Sequence, residues 1–234
     1  MNWQDLIKYS SVQLRKHEDN DMPCGIGSGC LLDLKGQRFL LTVFHVTQNS
    51  SNWSAQIKYN EEVQKFEALF LNEFSYFADY SSDKTEIENV EFSFHPVRLD
   101  FTSSYQNINW KGEILESRER PIFAMDDISE PNKDIYYGFS GDILPTAIPD
   151  QNAFEATQHI YHGLKFDRVE NDMLVFKLPE DHPGHKMFQG CSGAPIIGED
   201  GKVVSLVSGG CTEKNEIYGC NLLKCIRSLD YYLQ

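Results

Sequence analysis

The stretch Gly190-Cys191-Ser192-Gly193-Ala194-Pro195, followed by the apolar pair Ile196-Ile197, sets a hydroxyl between two glycines. Gly190 lets the backbone approach a reacting carbonyl with no side chain in the way, and Gly193 permits turn angles that other residues resist. Such a turn aims the Ser192 hydroxyl outward and points the N–H groups of Gly190 and Ser192 at one spot. Two donors converging there would form an oxyanion hole, which stabilises charge that develops only in the transition state. A serine hydroxyl is a weak nucleophile at neutral pH, so this reading requires a base and a third group to orient that base.

Both are supplied upstream. His45 ends the apolar run Phe39-Leu40-Leu41-Thr42-Val43-Phe44, and Glu91 interrupts the apolar strand Val90-Glu91-Phe92-Ser93-Phe94. The order is His, acid, Ser, with 46 positions from His45 to Glu91 and 101 from Glu91 to Ser192. These three strings resemble those of the trypsin-like (chymotrypsin-fold) serine peptidases, of the bacterial type without signal peptide or pro-segment. The order of the three residues is that family's own and differs from the orders on other folds. Two further pieces resemble it more loosely. Gly27-Ser28-Gly29-Cys30-Leu31-Leu32 is similar to the strand that opens the family's first barrel. Leu206-Val207-Ser208-Gly209-Gly210 is similar to the strand along which a substrate backbone pairs.

The resemblance implies an all-β chain of two antiparallel six-stranded β-barrels with a C-terminal helix. One peptidase domain is expected over residues 1–234: a first barrel over about 9–100, a linker over about 101–133, a second barrel over about 134–221 and a closing helix over about 222–233. It implies peptide-bond hydrolysis through an acyl-enzyme, with Ser192 as nucleophile, His45 as base, Glu91 as orienting acid, and Gly190 and Ser192 as oxyanion donors. The family normally has aspartate in place of Glu91, so Asp79 and Asp83 stand as alternatives. A drifted triad also leaves open a catalytically silent peptide-binding module, and a hydrolase of small esters is a further reading. Lys186, six residues before Ser192, matches the position at the base of the family's specificity pocket, where a lysine would prefer an acidic or amide partner. Ser208 and Gly210 join it as substrate-binding residues. Cys191 takes the place of an aspartate that pairs with a newly cut N-terminus in many digestive-type enzymes, so activation by N-terminal cleavage is not expected. Narrow specificity or a regulatory protein partner would then restrain the activity.

Composition sets the frame. The chain has 234 residues, 41% of them apolar and 12% aromatic, a globular composition long enough for a sizeable core. A net charge of −14 argues against nucleic acid and anionic membrane as partners, which need clustered positive charge. The densest acidity, seven acids from Glu67 to Glu91 against Lys84 alone, reads as a solvated loop. No apolar run reaches the ~20 residues of a membrane span. The opening Met1-Asn2-Trp3-Gln4-Asp5-Leu6-Ile7-Lys8 lacks the features of a signal peptide, which predicts a cytoplasmic address. The family's secreted members place a cysteine directly after the histidine, where Val46 stands here, so the six cysteines are expected as free thiols. No metal or organic cofactor is expected. The pairs His159/His162 and His182/His185 have a spacing that suits a metal only on a helix, and neither segment reads as one.

Along the chain, residues 29–46 read as a hairpin turning at Lys35-Gly36-Gln37, which delivers His45 at its exit. Alternation over Ala55-Gln56-Ile57-Lys58-Tyr59 predicts a half-buried strand. The strand signal returns at Ile135-Tyr136-Tyr137-Gly138-Phe139. Further strands are expected at 157–163, 173–178, 194–197 and 203–208, and near-helical apolar spacing over 222–233 predicts a closing helix.

Overall fold

The computed structural model describes residues 1–18, 22–48, 52–80, 86–148 and 153–234. Its elements are mostly strands. The chain opens on helix α1 (Trp3–Ser10), then β1 (Val12–His17), β2 (Pro23–Leu34), β3 (Gln37–Thr42) and the four-residue helix α2 (Phe44–Thr47). Next come β4 (Trp53–Asn60), β5 (Lys65–Leu71), β6 (Ser75–Tyr80) and β7 (Ile87–Val97). A hairpin, β8 (Ser104–Ile108) and β9 (Ile114–Glu119), and the short β10 (Ile122–Ala124) lead to the second half. There β11 (Tyr136–Ile148), β12 (Ala153–Glu170), β13 (Met173–Lys177), β14 (Pro195–Gly198), β15 (Val203–Cys211) and β16 (Glu216–Asn221) precede helix α3 (Leu222–Tyr232).

The two halves differ in closure. The second is a closed six-stranded barrel in the order β11-β12-β13-β16-β15-β14. The first is an eight-stranded sheet, β5-β4-β1-β2-β3-β7-β6 with β10 added beside β2, and it does not close among the described residues. The expectation of two six-stranded barrels is therefore corrected for the first half. There β10 joins β2 in parallel, Ile122 opposite Leu31 and Phe123 opposite Leu32, while β5 and β6 end the sheet without pairing with each other. The stretch 101–133, which shows no motif in sequence, supplies both β10 and the two-stranded β8–β9 sheet.

Local sequence explains the elements that frame the site. Between β2 and β3 the two-residue turn Lys35-Gly36 has φ +49° and +75°, the left-handed pair of a type I′ hairpin, whose twist matches its strands. In α3 the residues Leu222, Leu223, Ile226 and Leu229 fall on one face and are buried, and Asn221 caps the helix by accepting from the Lys224 N–H at 3.1 Å. That face packs into one core with Leu41, Phe92 and Phe94 of the first half and Ile197, Val203 and Leu206 of the second. The closing helix thus packs on both halves of the molecule. Helix α1 docks on the barrel: Trp3 Nε1 donates to the Ile197 carbonyl at 3.1 Å, and Ser140 Oγ donates to the Ile7 carbonyl at 2.7 Å. Among the described residues no helix is long and apolar enough to cross a membrane.

Candidate active site

Strand β3 ends at Thr42, and the chain turns into α2, which carries His45 at its second position with its side chain exposed. Strand β7 pairs with β3, Thr42 opposite Ser93, which brings Glu91 beside the start of α2. Phe92 and Phe94 are buried in the core. His45 Nδ1 and Glu91 Oε1 lie 2.5 Å apart, and the same oxygen accepts from the His45 backbone N–H at 3.4 Å. With Nδ1–H donating to the carboxylate, Nε2 is left as the basic nitrogen. Beneath α2, Thr47 Oγ1 donates to Ser93 Oγ at 3.0 Å and ties the helix to the strand that bears the acid.

The two alternative acids fare differently. Asp79, on β6, shares with Glu91 the wall of a second cavity of about 210 Å³, and the imidazole faces Glu91. Asp83 lies outside the described residues.

Ser192 sits in the turn between the 3-10 turn His185–Phe188 and β14. Gly190 and Gly193 have φ of +91° and +89°, which only glycine adopts at little cost. Neither has room for a side chain. A Cβ on Gly190 would come within 2.3 Å of the Asp142 carbonyl oxygen, and one on Gly193 within 2.0 Å of the Ser28 carbonyl oxygen and 2.3 Å of Thr42 Oγ1. Ser28 of β2 holds the turn from across the seam: its N–H donates to the Ser192 carbonyl at 2.8 Å and its Oγ to the Gly190 carbonyl at 2.7 Å. Thr42 Oγ1 in turn donates to the Ser28 carbonyl at 2.7 Å. Within the barrel, the Gly193 N–H donates to the Val207 carbonyl at 2.7 Å.

With those bonds made, the N–H groups of Gly190 and Ser192 donate to no acceptor among the described residues, and both remain free for an oxyanion. The Ser192 hydroxyl likewise has no hydrogen-bond partner among the described residues, His45 included. Bonds of this kind are commonly long without substrate and tighten in the reacting complex. Cys191 is fully buried against Gly141, and burial pushes its thiol pKa up, which makes it a poor nucleophile.

Beside Ser192 lies a cavity of about 360 Å³, walled by His182, His185, Lys186, Gly209 and Gly210 among others. Of the three residues expected to bind substrate, Lys186 and Gly210 are in this wall and Ser208 is not. Ser208 stands instead at the irregularity between Val207 and Gly209, where β15 pairs with β16. Strand β14 pairs with β15 only as far as Leu206, so the other edge of β15 beyond Val207 is unpaired among the described residues. An extended peptide can add there as a further strand.

Two features escaped the sequence reading. Ser28 was visible only as part of a loosely matching glycine-serine-glycine string, and its role depends on contacts 162 residues away. His182 stands out in sequence only through its three-residue spacing from His185, and in the structure it lines the cavity. Among the described residues no group of three metal-ligating side chains occurs. All six cysteines are unbonded thiols.

Comparison with protein-family profiles and with curated proteins finds no match. Solved structures do match. A serine endoprotease from Yersinia pestis superposes with a TM-score of 0.53 at 11% identity over 97% of this chain, which spans 64% of that structure's length. The apo MamO protease domain from Magnetospirillum magneticum is similar over 95% of this chain and 97% of its own, with a TM-score of 0.49 at 11% identity. The first of these likenesses gives the chain a chymotrypsin-like fold.

Proposed function

We propose that this chain is a serine endopeptidase acting on a protein or peptide substrate with the triad Ser192, His45 and Glu91. The observation that carries the reading is the 2.5 Å contact of His45 Nδ1 with Glu91 Oε1, which engages one ring nitrogen and leaves Nε2 available as the base. His45 Nε2 takes the proton of Ser192 Oγ as that oxygen attacks the scissile carbonyl carbon. The oxyanion that forms is held by the N–H groups of Gly190 and Ser192. Collapse of the tetrahedral species breaks the C–N bond, and the imidazolium passes its proton to the leaving amine. Water, deprotonated by the same nitrogen, then releases the acid and restores the serine. Glu91 stabilises the imidazolium and holds its tautomer, without taking the proton itself.

A second reading, a silent module that holds a peptide in the same cleft, is favoured by one observation: no hydrogen bond joins Ser192 and His45 among the described residues. Intact mass after incubation with a fluorophosphonate separates the two. Attack of Ser192 on phosphorus with loss of fluoride should give one adduct per chain, mapped to Ser192 and absent in Ser192→Ala and His45→Ala. Folded protein that stays unlabelled would remove the peptidase reading and leave the binding module.

A further inference from the structure

The cavity beside Ser192 is walled by one ammonium side chain and two imidazoles, and no carboxylate lines it among the described residues. Its most telling group is His182, which is 8% exposed. Nδ1 of this ring accepts from the Gly184 N–H at 3.0 Å, so in the neutral imidazole the proton sits on Nε2. That Nε2–H is buried and has no acceptor. Buried donors are rarely left in this state, because the lost hydration is not replaced. The ring does not drift to find a partner, since Phe188 packs edge-on against it at 4.7 Å and His185 at 5.6 Å. On its other side is Gly210, where a Cβ would stand 3.1 Å from Nε2; any larger residue would fill the space next to the donor. A cation at the mouth and an unsatisfied N–H at the wall are complementary to a group that accepts hydrogen bonds and carries negative charge.

We propose that this cavity selects a carboxylate side chain, of glutamate or aspartate type, on the substrate residue preceding the scissile bond. His182 donates to one carboxylate oxygen and Lys186 neutralises the charge. The assignment rests on the reading of Ser192 as the point where the scissile carbonyl sits, since a carbonyl there puts the side chain before it in the adjoining cavity. A carboxamide would accept from His182 but leave Lys186 without a counter-charge, so glutamate is preferred over glutamine. An apolar side chain would bury the Nε2–H with nothing to receive it.

The test uses Ser192→Ala, so that binding is read without turnover. Matched peptides ending in Glu, Gln or Leu, each with its free terminal carboxylate, are titrated by calorimetry. The Glu-ended peptide should bind about tenfold more tightly than the Leu-ended one, as a charge-assisted hydrogen bond implies. In His182→Phe, which keeps the packing on Phe188, and in Lys186→Met, an exposed site whose change leaves the core untouched, that ratio should fall to about twofold or less. A Leu- or Gln-ended peptide that binds as tightly as the Glu-ended one, or no binding of the Glu-ended peptide, overturns the assignment. Fluorophosphonate labelling of the wild type requires no such side chain, so it stands or falls separately.

Discussion

Ser28 Oγ, in the first half of the molecule, donates to the Gly190 carbonyl of the second at 2.7 Å, and Ser28 is almost fully buried. With the Ser28 N–H on the Ser192 carbonyl, this residue fixes two of the three peptide units around the nucleophile. Fixing the carbonyls fixes the N–H groups that alternate with them, so the groups proposed as oxyanion donors are oriented by a strand from the opposite half. In Ser28→Ala the Gly190 carbonyl is left buried without its partner, at a cost of about 1–3 kcal/mol in stability. The rate of labelling of Ser192 by a fluorophosphonate should fall by about 10²-fold, the scale of losing one oxyanion donor. Thermal unfolding and labelling kinetics on one preparation check both parts. A labelling rate that stays unchanged while the melting temperature drops would make Ser28 a structural residue only.

Glu91→Gln addresses the orientation of His45. A carboxamide presents an N–H as readily as an oxygen to Nδ1, and donation from it would move the ring proton to Nε2, where it blocks the base. The expected loss in turnover is about 10³–10⁴-fold, with folding intact because Glu91 is partly exposed. Proton NMR of the imidazole should report the change in tautomer. Activity within tenfold of wild type would return the role of the acid to Asp79 or Asp83.

The three strings that carry Ser192, His45 and Glu91 stand out in sequence because each joins a local chain geometry to a reactive side chain. Gly190 and Gly193 are required by positive φ, and His45 follows the mostly apolar run 39–44. The hairpin at Lys35-Gly36 and the buried face of α3 were legible for the same reason, since turn chemistry and periodicity act over a few residues. Closure of the first sheet was not. Whether β5 and β6 pair depends on sheet curvature and on neighbours far along the chain, and β9, Ile-Leu-Glu-Ser-Arg-Glu, has its two apolar residues adjacent and so no apolar–polar alternation to read. The part played by His182 was hidden as well, because its meaning comes from the Gly184 N–H that fixes its tautomer and from Gly210 on the facing strand.

Gly193→Ala tests how tightly the nucleophile turn is clamped on the first half. The added methyl meets the Ser28 carbonyl and Thr42 Oγ1, and the residue must also hold φ near +89°. Strain and overpacking together should cost about 2–4 kcal/mol, enough to lower the denaturation midpoint markedly. By contrast, Gly36→Ala has nothing within 4 Å of the new methyl and carries only the cost of its φ of +75°, about 1 kcal/mol. Urea titrations of the two variants should differ accordingly. Equal midpoints would mean that the turn at Gly193 relaxes away from Ser28.

Glu216 supplies the pH dependence. It is buried on β16 next to the strand that walls the cavity, and it accepts from Arg168 Nη1 at 2.9 Å, Lys177 Nζ at 2.7 Å and Tyr218 OH at 3.0 Å. Arg168 first, then Lys177 and Tyr218, hold its carboxyl well below the usual 4.5, at about 2. The unfolded chain therefore takes up a proton at a higher pH than the folded one. The stabilisation is complete above pH ~4.5 and is lost as the pH falls from there toward about 2. Glu216→Gln lacks this titration, and it also leaves the Arg168 and Lys177 charges without their buried partner. Its melting temperature at pH 7 should lie below that of the wild type, and the gap should narrow steadily between pH 5 and pH 3. A gap that stays constant across that range would show that the Glu216 carboxylate is no better stabilised in the folded chain than in the unfolded one.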